Sequence, residues 1–352
     1  MYLVTGGSGF IGSALVRALV ERERVPVVNV DKLTYAANPR SLGDLAGVPL
    51  YHFEQIDICD ADAVRRTFAD YQPDAVFHLA AESHVDRSID APHDFVRTNV
   101  LGTSALLAEA RRYWQAMSGP RARTFRFVHV STDEVFGSLG ADGAFSESSS
   151  YDPASPYAAS KAASDHLVRA WHRTYGFPAI VTHSSNNFGP RQFPEKLIPL
   201  AILNALADRP IAVYGRGENV RDWLYVDDHI DALLAIEARG RVGETYAISA
   251  GNERRNIDVV LRLCDLVDTL VPRPGGAARR DLIRFVTDRP GHDFRYAIDA
   301  SKLRAELGWR PARDFEVALT DTVRWYVDNR EWWEPLRRGV YGGERIGLGS
   351  EP

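Results

Sequence analysis

The chain has 352 residues, 45% of them hydrophobic, which is enough for one large domain or two unequal domains with a substantial core. A formal net charge of −5 argues against nucleic-acid binding, and two cysteines (Cys59 and Cys264, which read as reduced core residues) argue against a disulfide framework or a zinc site. No apolar run reaches membrane length and no basic-then-apolar leader precedes the first predicted strand, so we expect a soluble, cytoplasmic protein with no metal and no membrane partner.

The first predicted strand, residues 1–5, runs into the glycine-rich turn Gly6-Gly-Ser-Gly-Phe-Ile-Gly12, and a helix follows over residues 13–20. Glycines at positions 6, 9 and 12 permit a tight turn, close approach of the backbone to a pyrophosphate, and close packing of helix on strand. The N-terminus of the helix adds the positive end of its dipole. This segment therefore predicts a dinucleotide site.

The second predicted strand, residues 25–30, ends in Asp31, about nineteen residues after the last glycine. A carboxylate at that position accepts hydrogen bonds from a ribose 2′-hydroxyl and repels a 2′-phosphate. We therefore predict NAD rather than NADP, and the adjacent Lys32 is a smaller argument in the other direction.

Further apolar runs repeat at α/β intervals, over residues 50–56, 75–79 and 125–130, with a helix predicted over residues 95–113. This alternation predicts an α/β fold with a doubly wound, Rossmann-like parallel sheet whose ligands bind at the carboxyl ends of the strands. After residue 187 the alternation fades, which predicts a smaller, mixed α/β domain for substrate. Residues 223–237 are expected to form a helix that packs back on the first domain.

An acidic pair follows the strand at 125–130, in the run Ser131-Thr-Asp-Glu134. Adjacent side chains of a strand point to opposite faces, so both carboxyls can serve one pocket only if the chain turns there, as Gly137 would allow. One carboxylate would then act as a general base and a protonated neighbour as a general acid. Thr132 could hold a sugar oxygen. A solvated acidic turn is the alternative interpretation.

Tyr157 and Lys161 stand four residues apart, hence on one face of a helix that Ser155 would cap and Pro156 would start. Only four of the 42 basic residues are lysines (Lys32, Lys161, Lys196 and Lys302), so Lys161 marks a place where arginine does not substitute. A cation beside the phenol is expected to lower the tyrosine pKa below its free value of about 10 and make it a general base. For an isolated pair, a surface helix contact is the alternative.

Together these motifs resemble the extended short-chain dehydrogenase/reductases, and within them the dTDP-glucose 4,6-dehydratase family. The resemblance covers roughly residues 1–330 and includes the following blocks: Asp31-Lys-Leu-Thr-Tyr35, Leu79-Ala-Ala-Glu-Ser-His-Val-Asp-Arg-Ser88, Ser131-Thr-Asp-Glu134, Ser185-Asn-Asn187, Phe193-Pro-Glu-Lys-Leu-Ile-Pro199, Arg221-Asp-Trp-Leu-Tyr225 and Asp288-Arg-Pro-Gly-His292. The Thr-Asp-Glu run discriminates, because related 4-epimerases lack the acid–base pair.

The resemblance implies a nucleotide-sugar lyase of deoxysugar biosynthesis that carries tightly bound NAD. Tyr157 and Lys161 would support oxidation at C4, Glu134 would take the C5 proton, and Asp133 would protonate the departing 6-hydroxyl beside Thr132. The implied cofactor contacts are Gly6, Gly9, Phe10, Ile11, Gly12, Asp31, Lys32, Leu33, Thr34, Asp57, Ile58, Leu79, Ala80, Ala81, Ser83, Thr98, Tyr157, Lys161 and Asn187. The implied substrate contacts are Ser83, Thr132, Asn186, Lys196, Leu197, Ala212, Val213, Tyr214, Arg221, Asn256, Asp288, Arg289 and His292.

The expected NAD-binding domain comprises residues 1–185 plus about 222–250, and the expected sugar-nucleotide domain comprises residues 186–221 and 251–340. Residues 341–352 would form a flexible tail, and Trp332 and Trp333 would serve packing. The resemblance also implies a homodimer through helices near residues 95–113 and 157–175, although packing within the chain explains Leu101, Leu106, Leu107 and Trp114 equally well.

Two positions depart from the family pattern. Phe188 replaces a tyrosine and Arg191 replaces an aromatic or small residue, and both are expected near the ligand, which leaves thymidine against uridine open. Arg221 could bind a phosphate or instead pair with Asp222 or Asp227. The remaining alternatives are a 4-epimerase or decarboxylase of the same fold and, from another class, a non-catalytic NAD-binding sensor.

Overall fold

The computed structural model describes residues 1–343. Its strands are β1 (Tyr2–Thr5), β2 (Val27–Val30), β3 (Tyr51–Glu54), β4 (Ala75–His78), β5 (Arg126–Thr132), β6 (Ala179–Ser184), β7 (Asn186–Phe188), β8 (Ile211–Tyr214), β9 (Val220–Tyr225), β10 (Thr245–Ile248), β11 (Glu253–Arg255) and β12 (Ile283–Val286).

Its α-helices are α1 (Phe10–Arg17), α2 (Ala61–Tyr71), α3 (Val85–Asp90), α4 (Pro92–Phe95), α5 (Thr103–Ala116), α6 (Gly119–Thr124), α7 (Pro156–Tyr175), α8 (Leu197–Leu206), α9 (Val226–Arg239), α10 (Asn256–Leu270), α11 (Ser301–Leu307), α12 (Phe315–Asp328) and α13 (Arg330–Gly339). Short 3₁₀ helices occur at Pro39–Leu45, Asp133–Phe136, Pro274–Gly276 and Arg279–Leu282, and π-helical turns at Ala18–Arg22 and Val96–Gly102.

The central sheet has seven parallel strands in the order β10-β6-β5-β4-β1-β2-β3. All residues of β2, β4 and β6 are buried, as expected for strands covered by helices on both faces. The strand order reverses direction between β1 and β4, and such switch points form ligand crevices at the carboxyl ends of strands. The predicted doubly wound, Rossmann-like fold is confirmed.

Two small sheets lie outside this layer. One has the order β11-β9-β7, in which β9 is antiparallel to β11 and parallel to β7, and the other pairs β12 with β8. A separate apolar core packs β8 and β9 against α8, α10 and α12. These sheets supply the mixed α/β part that the sequence predicts, while the division of the chain into two domains at particular residues stays a prediction.

The helix predicted over residues 223–237 begins later than expected. Trp223 to Tyr225 belong to β9, and α9 starts at Val226. The prediction was wrong there because Trp223, Leu224 and Tyr225 pair with β7, and this pairing holds the three large apolar residues in an extended conformation. Helix α9 does pack on α1 and β5, as expected for a return to the first layer.

Helix α7 forms as the sequence predicts. The Ser155 hydroxyl accepts a hydrogen bond from the Ala158 amide at 3.1 Å, Pro156 occupies the first turn, and the helix ends at Gly176 with φ of 67°. Ser155 therefore caps the helix that carries Tyr157 and Lys161.

The helix predicted over residues 95–113 is a π-helical turn, Val96–Gly102, followed by α5. Leu106 and Leu107 are fully buried in the core beneath the sheet, and the Trp114 indole donates to the Ala122 carbonyl. Leu101, in contrast, is 60% exposed. Packing within the chain thus accounts for three of the four apolar residues considered for a dimer.

Tyr341 does not belong to a loose tail, because its side chain is 4% exposed and lies in the same core as Trp332 and Leu336. The prediction of a flexible segment from residue 341 was wrong at its start, and residues 344–352 lie outside the described residues. Trp332 and Trp333 pack on that core, as expected. Cys59 and Cys264 are free, but only Cys264 is buried.

Across residues 1–343, no helix combines the length and apolarity that a bilayer crossing requires.

Candidate active site

A cavity opens at the carboxyl ends of β1, β2, β4, β5 and β6, and it contains most of the residues that the sequence predicts for a site. Those that line it are Gly6, Gly9, Phe10, Ile11, Gly12, Asp31, Lys32, Thr34, Ile58, Leu79, Ala80, Ala81, Ser83, Thr98, Thr132, Asp133, Glu134, Tyr157, Lys161, Asn186, Asn187 and Lys196. The fold thus brings the glycine turn, the acidic pair and the Tyr157–Lys161 pair to one place.

The glycine turn between β1 and α1 has no room for side chains at two of its positions. A Cβ on Gly6, whose φ is +73°, would lie 2.7 Å from the Ala80 amide nitrogen, and a Cβ on Gly12 would lie 2.1 Å from the Gly6 carbonyl oxygen. Gly9 has only the Gly6 carbonyl nearby, at 3.3 Å, and directly precedes α1. The turn is thus a cradle of backbone at a helix N-terminus, which fits a pyrophosphate.

Asp31 is held by backbone amides at the edge of the cavity. Its carboxylate accepts from Leu33 at 2.8 Å and from Ser8 at 3.0 Å. Lys32 turns away from it, because its ammonium donates to the Thr98 hydroxyl at 3.0 Å and lies 3.9 Å from Glu82. Lys32, whose positive charge would favour a 2′-phosphate, therefore interacts with other groups. This favours a ribose with a free 2′-hydroxyl.

The acidic pair begins a 3₁₀ turn at the end of β5. The Thr132 hydroxyl accepts from the Glu134 amide at 3.3 Å and lies 3.4 Å from Asp133 Oδ1. Gly137 ends the turn with φ of +83°, where a Cβ would lie 2.4 Å from the Asp152 carbonyl oxygen. The chain therefore turns where the sequence required it, and both carboxyls line the same cavity.

The two carboxyls have different environments. Asp133 is 1% exposed, and its Oδ2 has no hydrogen-bond partner among the described residues. Burial raises the pKa of Asp133 well above its ordinary value, and the charges of Glu134 and Asp222 raise it further. Burial also raises the pKa of Glu134, but Arg289, Lys196 and Arg221 oppose that shift. Asp133 is thus the better proton donor and Glu134 the better base.

Tyr157 and Lys161 are both buried beside this pair. Lys161 donates to the Val130 carbonyl at 2.9 Å, and burial lowers the pKa of its ammonium to about 8. Burial raises the pKa of the Tyr157 phenol, as does the charge of Glu134, while a hydrogen bond with Thr132 opposes the rise. The prediction of a lowered phenol pKa was wrong here, because burial and the charges of the facing carboxyls raise that pKa.

Two predicted cofactor contacts do not line the cavity. Leu33 has φ of +59° and contributes its amide to Asp31, so it shapes the loop after β2. Asp57 accepts from the Cys59 amide at 2.9 Å, and it lies in a neighbouring depression formed by β3 and α2. Both residues stand next to residues that line the cavity, and their cofactor contacts stay predictions.

Several predicted substrate contacts also lie outside the cavity lining. Val213 is buried in the core around α8, Ala212 is exposed on the other face of β8, and Leu197 begins α8 and packs on that core. Alternation along β8 explains why Val213 is buried and Ala212 is exposed, since successive side chains of a strand face opposite sides. The predicted residues that do not line this cavity are Leu197, Ala212, Val213, Tyr214, Arg221, Asn256, Asp288, Arg289 and His292, and their ligand contacts stay predictions.

Some of these residues form a second polar cluster centred on Asp86. Its carboxylate accepts from the Tyr214 hydroxyl at 2.9 Å and from the Arg289 guanidinium at 2.7 Å. His292 Nδ1 lies 2.6 Å from Asp288, and its ring stands 6.0 Å from that of Tyr214. Because the charge of Arg289 lowers the pKa of Glu134, this cluster is electrically coupled to the acidic pair.

Arg221 forms neither of the salt bridges considered from the sequence. It donates to the carbonyls of Asp293 and Phe294 at 2.8 and 3.2 Å, and its guanidinium lies 4.3 Å from the centre of the Tyr296 ring. Its charge nevertheless lowers the pKa of Asp133 and Glu134.

Phe188 and Arg191 do not lie at the cavity, contrary to expectation. Phe188 is 1% exposed and packs on Trp223, Tyr225 and Phe315. The Arg191 guanidinium lies 5.5 Å from the Trp325 ring.

Sequence reasoning missed Glu195, which lines the cavity with its side chain almost fully buried. Its carboxylate accepts from the Arg87 guanidinium at 3.1 Å and the Tyr35 hydroxyl at 3.3 Å. Its position in the block of residues 193–199, directly before Lys196, was the available signal. Glu82, which also lines the cavity, was missed as well, although it lies in the block of residues 79–88.

The family model described as GDP-mannose 4,6 dehydratase matches residues 3–322. A dTDP-glucose 4,6-dehydratase of Neisseria meningitidis serogroup B is 58% identical over 351 residues, which covers 99% of each chain. The chain belongs to the dTDP-glucose 4,6-dehydratase family. Its fold agrees with the crystal structure of the Streptomyces venezuelae dTDP-glucose 4,6-dehydratase with NAD bound, at a TM-score of 0.87 and 45% identity over 95% of this chain and 99% of that chain.

A UDP-glucose 4-epimerase of Thermotoga maritima has nearly the same fold, with a TM-score of 0.82 and 27% identity over 94% of this chain and 99% of that one. The fold alone therefore does not separate dehydration from epimerisation. The distinction depends on the side chains at the cavity, above all Asp133 and Glu134.

Proposed function

We propose that this chain is an NAD-dependent lyase that converts dTDP-glucose into dTDP-4-keto-6-deoxyglucose and water. One observation carries the proposal: a buried acid and a less strongly perturbed carboxyl, Asp133 and Glu134, line the same cavity as Tyr157 and Lys161. The membership of the chain in the dTDP-glucose 4,6-dehydratase family supports the choice of substrate.

NAD fits the residues at the cavity. The glycine turn, where Cβ atoms on Gly6 or Gly12 would collide with backbone, would hold the pyrophosphate, and Asp31 would hold the adenosine ribose. When bound, NAD accepts the hydride from C4 of the hexose and returns it at C6. Because the cycle is redox-neutral, we propose that the cofactor is retained between turnovers.

The side chains divide the remaining chemistry. Tyr157 would take the proton of the 4-hydroxyl as a phenolate, so its phenol must first release its own proton, which the positive charge of Lys161 on the same helix face favours. The resulting 4-ketone acidifies the C5 hydrogen, which Glu134 removes. Asp133, protonated because it is buried, gives its proton to the 6-hydroxyl, so that water leaves and a C5–C6 double bond forms. When hydride has returned to C6, Glu134 gives its proton back to C5, which completes the 4-keto-6-deoxy sugar.

For the substrate side, we propose that Arg221, Arg289 and Lys196 attract the diphosphate. Each of these cations acts electrostatically on Glu134, so each lies within reach of the catalytic centre. Guanidinium groups suit phosphate oxygens because they donate two parallel hydrogen bonds. The roles of Asn186, Asn187, Asn256 and His292 as ligand contacts stay predictions.

We further propose a cytoplasmic homodimer. The family resemblance supports a dimer. The apolar side chains of Val96, Leu101 and Tyr175 also support a dimer, because they are 48%, 60% and 42% exposed in the single chain. These residues lie on or next to the two helical segments expected at the interface.

The decisive experiment is mass spectrometry of dTDP-glucose incubated with the purified protein and no added cofactor. Loss of one water from the sugar nucleotide is expected. An isomer of unchanged mass would instead identify an epimerase, and no reaction with dTDP-, UDP- or GDP-hexoses, despite bound NAD, would indicate a non-catalytic protein. Tyr157→Phe is the control variant, and it should abolish the product while leaving the fold unchanged.

A further inference from the structure

Asp165 is a fully buried carboxylate one helical turn after Lys161 on α7. Its Oδ2 atom accepts hydrogen bonds from Ser131 Oγ, Tyr151 Oη and His183 Nε2, each at 2.9 Å. His129 Nε2 lies 3.1 Å from the other carboxylate oxygen. The donors come from β5, β6 and the segment before α7, so this one side chain joins three parts of the fold.

Asp165 contributes a negative charge to this cluster. Its donors hold the pKa of Asp165 far below the ordinary value of a carboxyl, so the group is ionised at neutral pH. His129 is neutral, because burial lowers its pKa to about 4. A lone buried carboxylate is costly unless a cation compensates it.

The cation that the helix brings to the same face is Lys161, which stands four residues before Asp165 and is buried with it. Burial alone lowers the pKa of this ammonium, and Asp165 is the group whose charge raises it. The other charged or titratable groups that face the pair from the surrounding elements are His78, His129, Asp133, Glu134, Tyr151, Tyr157, Arg169 and His183.

The same carboxylate also connects the two halves of the catalytic centre. Ser131, which donates to Asp165, directly precedes Thr132, Asp133 and Glu134, while Asp165 shares α7 with Tyr157 and Lys161. A displacement of Ser131 relative to α7 would therefore change the distance between the acid–base pair and the phenol.

We propose that Asp165 is a positioning residue, whose buried carboxylate is the counter-charge of the Lys161 ammonium and locks α7 to the end of β5. The consequence for catalysis rests on the proposed function, whereas the charge pairing does not.

The informative variant is Asp165→Asn, which keeps the shape and removes the charge. Its amide oxygen can still accept from Ser131, Tyr151 and His183, and its NH₂ group would face His129. The His129 Nδ1 atom has no partner among the described residues, so the ring can carry its proton there and accept with Nε2. The matched control is Tyr151→Phe, which removes one donor and leaves the charge.

The ionisation of Lys161 can be followed directly by NMR of protein labelled with ¹³C and ¹⁵N in its lysines, because the chain has only four of them. Lys161→Arg assigns the signal, and circular dichroism confirms that each variant is folded. We expect the wild-type midpoint to lie above pH 7. Asp165→Asn should lower it by about one pH unit or more, since an opposite charge at close range has effects of that size, and Tyr151→Phe should not.

Three results would overturn the proposal. They are a wild-type midpoint below pH 7, an unchanged midpoint in folded Asp165→Asn, and an equal fall in Tyr151→Phe, which would assign the effect to packing. Turnover of dTDP-glucose is measured on the same samples, and the alkaline limb of the kcat profile should move with the Lys161 midpoint. Absence of turnover by the wild type would refute the proposed function alone, because the titration needs no substrate.

Discussion

At the scale of single residues, the main feature is the unequal treatment of two adjacent carboxyls. Asp133 is enclosed and has one oxygen without a partner, whereas Glu134 faces the charges of Arg221, Arg289 and Lys196. Two titratable groups whose environments push their pKa values apart are suited to act as acid and base. The local sequence places them side by side, and the cavity makes them different.

The double variant Asp133→Asn/Glu134→Gln should separate oxidation from dehydration. We expect reduced nicotinamide to form on addition of dTDP-glucose, because Tyr157 and Lys161 are intact. Release of water should fall at least about a hundredfold, the lower range for loss of general acid–base catalysis. Absorbance follows the nicotinamide, and mass spectrometry follows the product.

The control for this variant is Asp142→Asn, which removes an exposed carboxylate from the loop that follows the 3₁₀ turn. It should dehydrate the substrate at the wild-type rate. If the double variant also released water at nearly that rate, the assignment of Asp133 and Glu134 would be wrong.

Asp133→Ala should stabilise the protein at neutral and alkaline pH while abolishing activity. The raised pKa of Asp133 means that folding holds a proton which the unfolded chain releases above about pH 4, so this group costs stability as the pH rises toward its folded pKa. We expect the gain from Asp133→Ala, measured by urea unfolding, to increase as the pH rises above about 4, by up to about 1.4 kcal/mol per pH unit, because the unfolded chain then releases a proton that the folded chain holds. A gain independent of pH would contradict the argument.

At the scale of elements, the turn between β1 and α1 and the helix α7 make the cavity. The turn brings the N-terminus of α1 to the carboxyl end of β1, and α7 places Tyr157 and Lys161 on the face toward β5. Each of these elements depends on a local signal. The turn has glycines where a Cβ would collide with backbone, and α7 has a capping serine directly before a proline.

Gly12→Ala should distort the cradle. The added Cβ would lie 2.1 Å from the Gly6 carbonyl oxygen, which is backbone and cannot move without opening the turn. We expect a loss of about 1–3 kcal/mol in the free energy of unfolding, the usual cost of overpacking, and a loss of NAD from the purified protein. Urea unfolding and the nucleotide content of denatured protein measure the two effects.

Gly43→Ala is the matched control, because no heavy atom lies within 4 Å of a Cβ at that position. Its stability should stay within about 0.5 kcal/mol of wild type, with full nucleotide content. A Gly12→Ala protein that retained its nucleotide would show that the cradle tolerates a side chain, against the geometry.

At the scale of the whole molecule, polar links hold the two sheet systems together around the cavity. Asp86 on α3 accepts from Tyr214 on β8 and from Arg289 after β12, and Glu195 accepts from Tyr35 and Arg87. The catalytic pair lies on the first layer, and the cations that influence it come from the second. The arrangement of these parts therefore controls the charge balance of the site.

Leu101→Glu should dissociate the proposed homodimer. The side chain is 60% exposed in the chain by itself, so the substitution costs little within one subunit, but a charge at a helical interface would be buried without a partner. Light scattering after size exclusion should show twice the 39.2 kDa chain mass for wild type and the single mass for the variant.

Phe285→Glu is the control for the dimer, since Phe285 is 61% exposed on β12, away from the expected interface helices. This variant should keep the mass of the dimer. A wild-type mass of one chain, or dissociation by Phe285→Glu instead, would refute the proposed interface.

Much of the site could be predicted because its signals are local. The glycine spacing, the position of Asp31 after a strand, the turn at Asp133 and the Tyr157–Lys161 pair each depend on a few consecutive residues whose backbone conformation follows from their own chemistry. The conformation of residues 223–225, in contrast, could not be predicted, because a short apolar run suits either a strand or a helix. The strand partners of β9 decide between the two.

Sequence alone determined the fold class, the nucleotide cradle and the chemical groups that the site contains, since these follow from spacing and from the backbone preferences of particular residues. Tertiary structure decided their electrostatics: the raised pKa of Tyr157, the inequality of Asp133 and Glu134, and the placement of Asp165 among Ser131, Tyr151 and His183. It also moved Val213 and Phe188 from the expected ligand site into the core. The physical reason is that burial and the distance between charges depend on residues far apart in the chain.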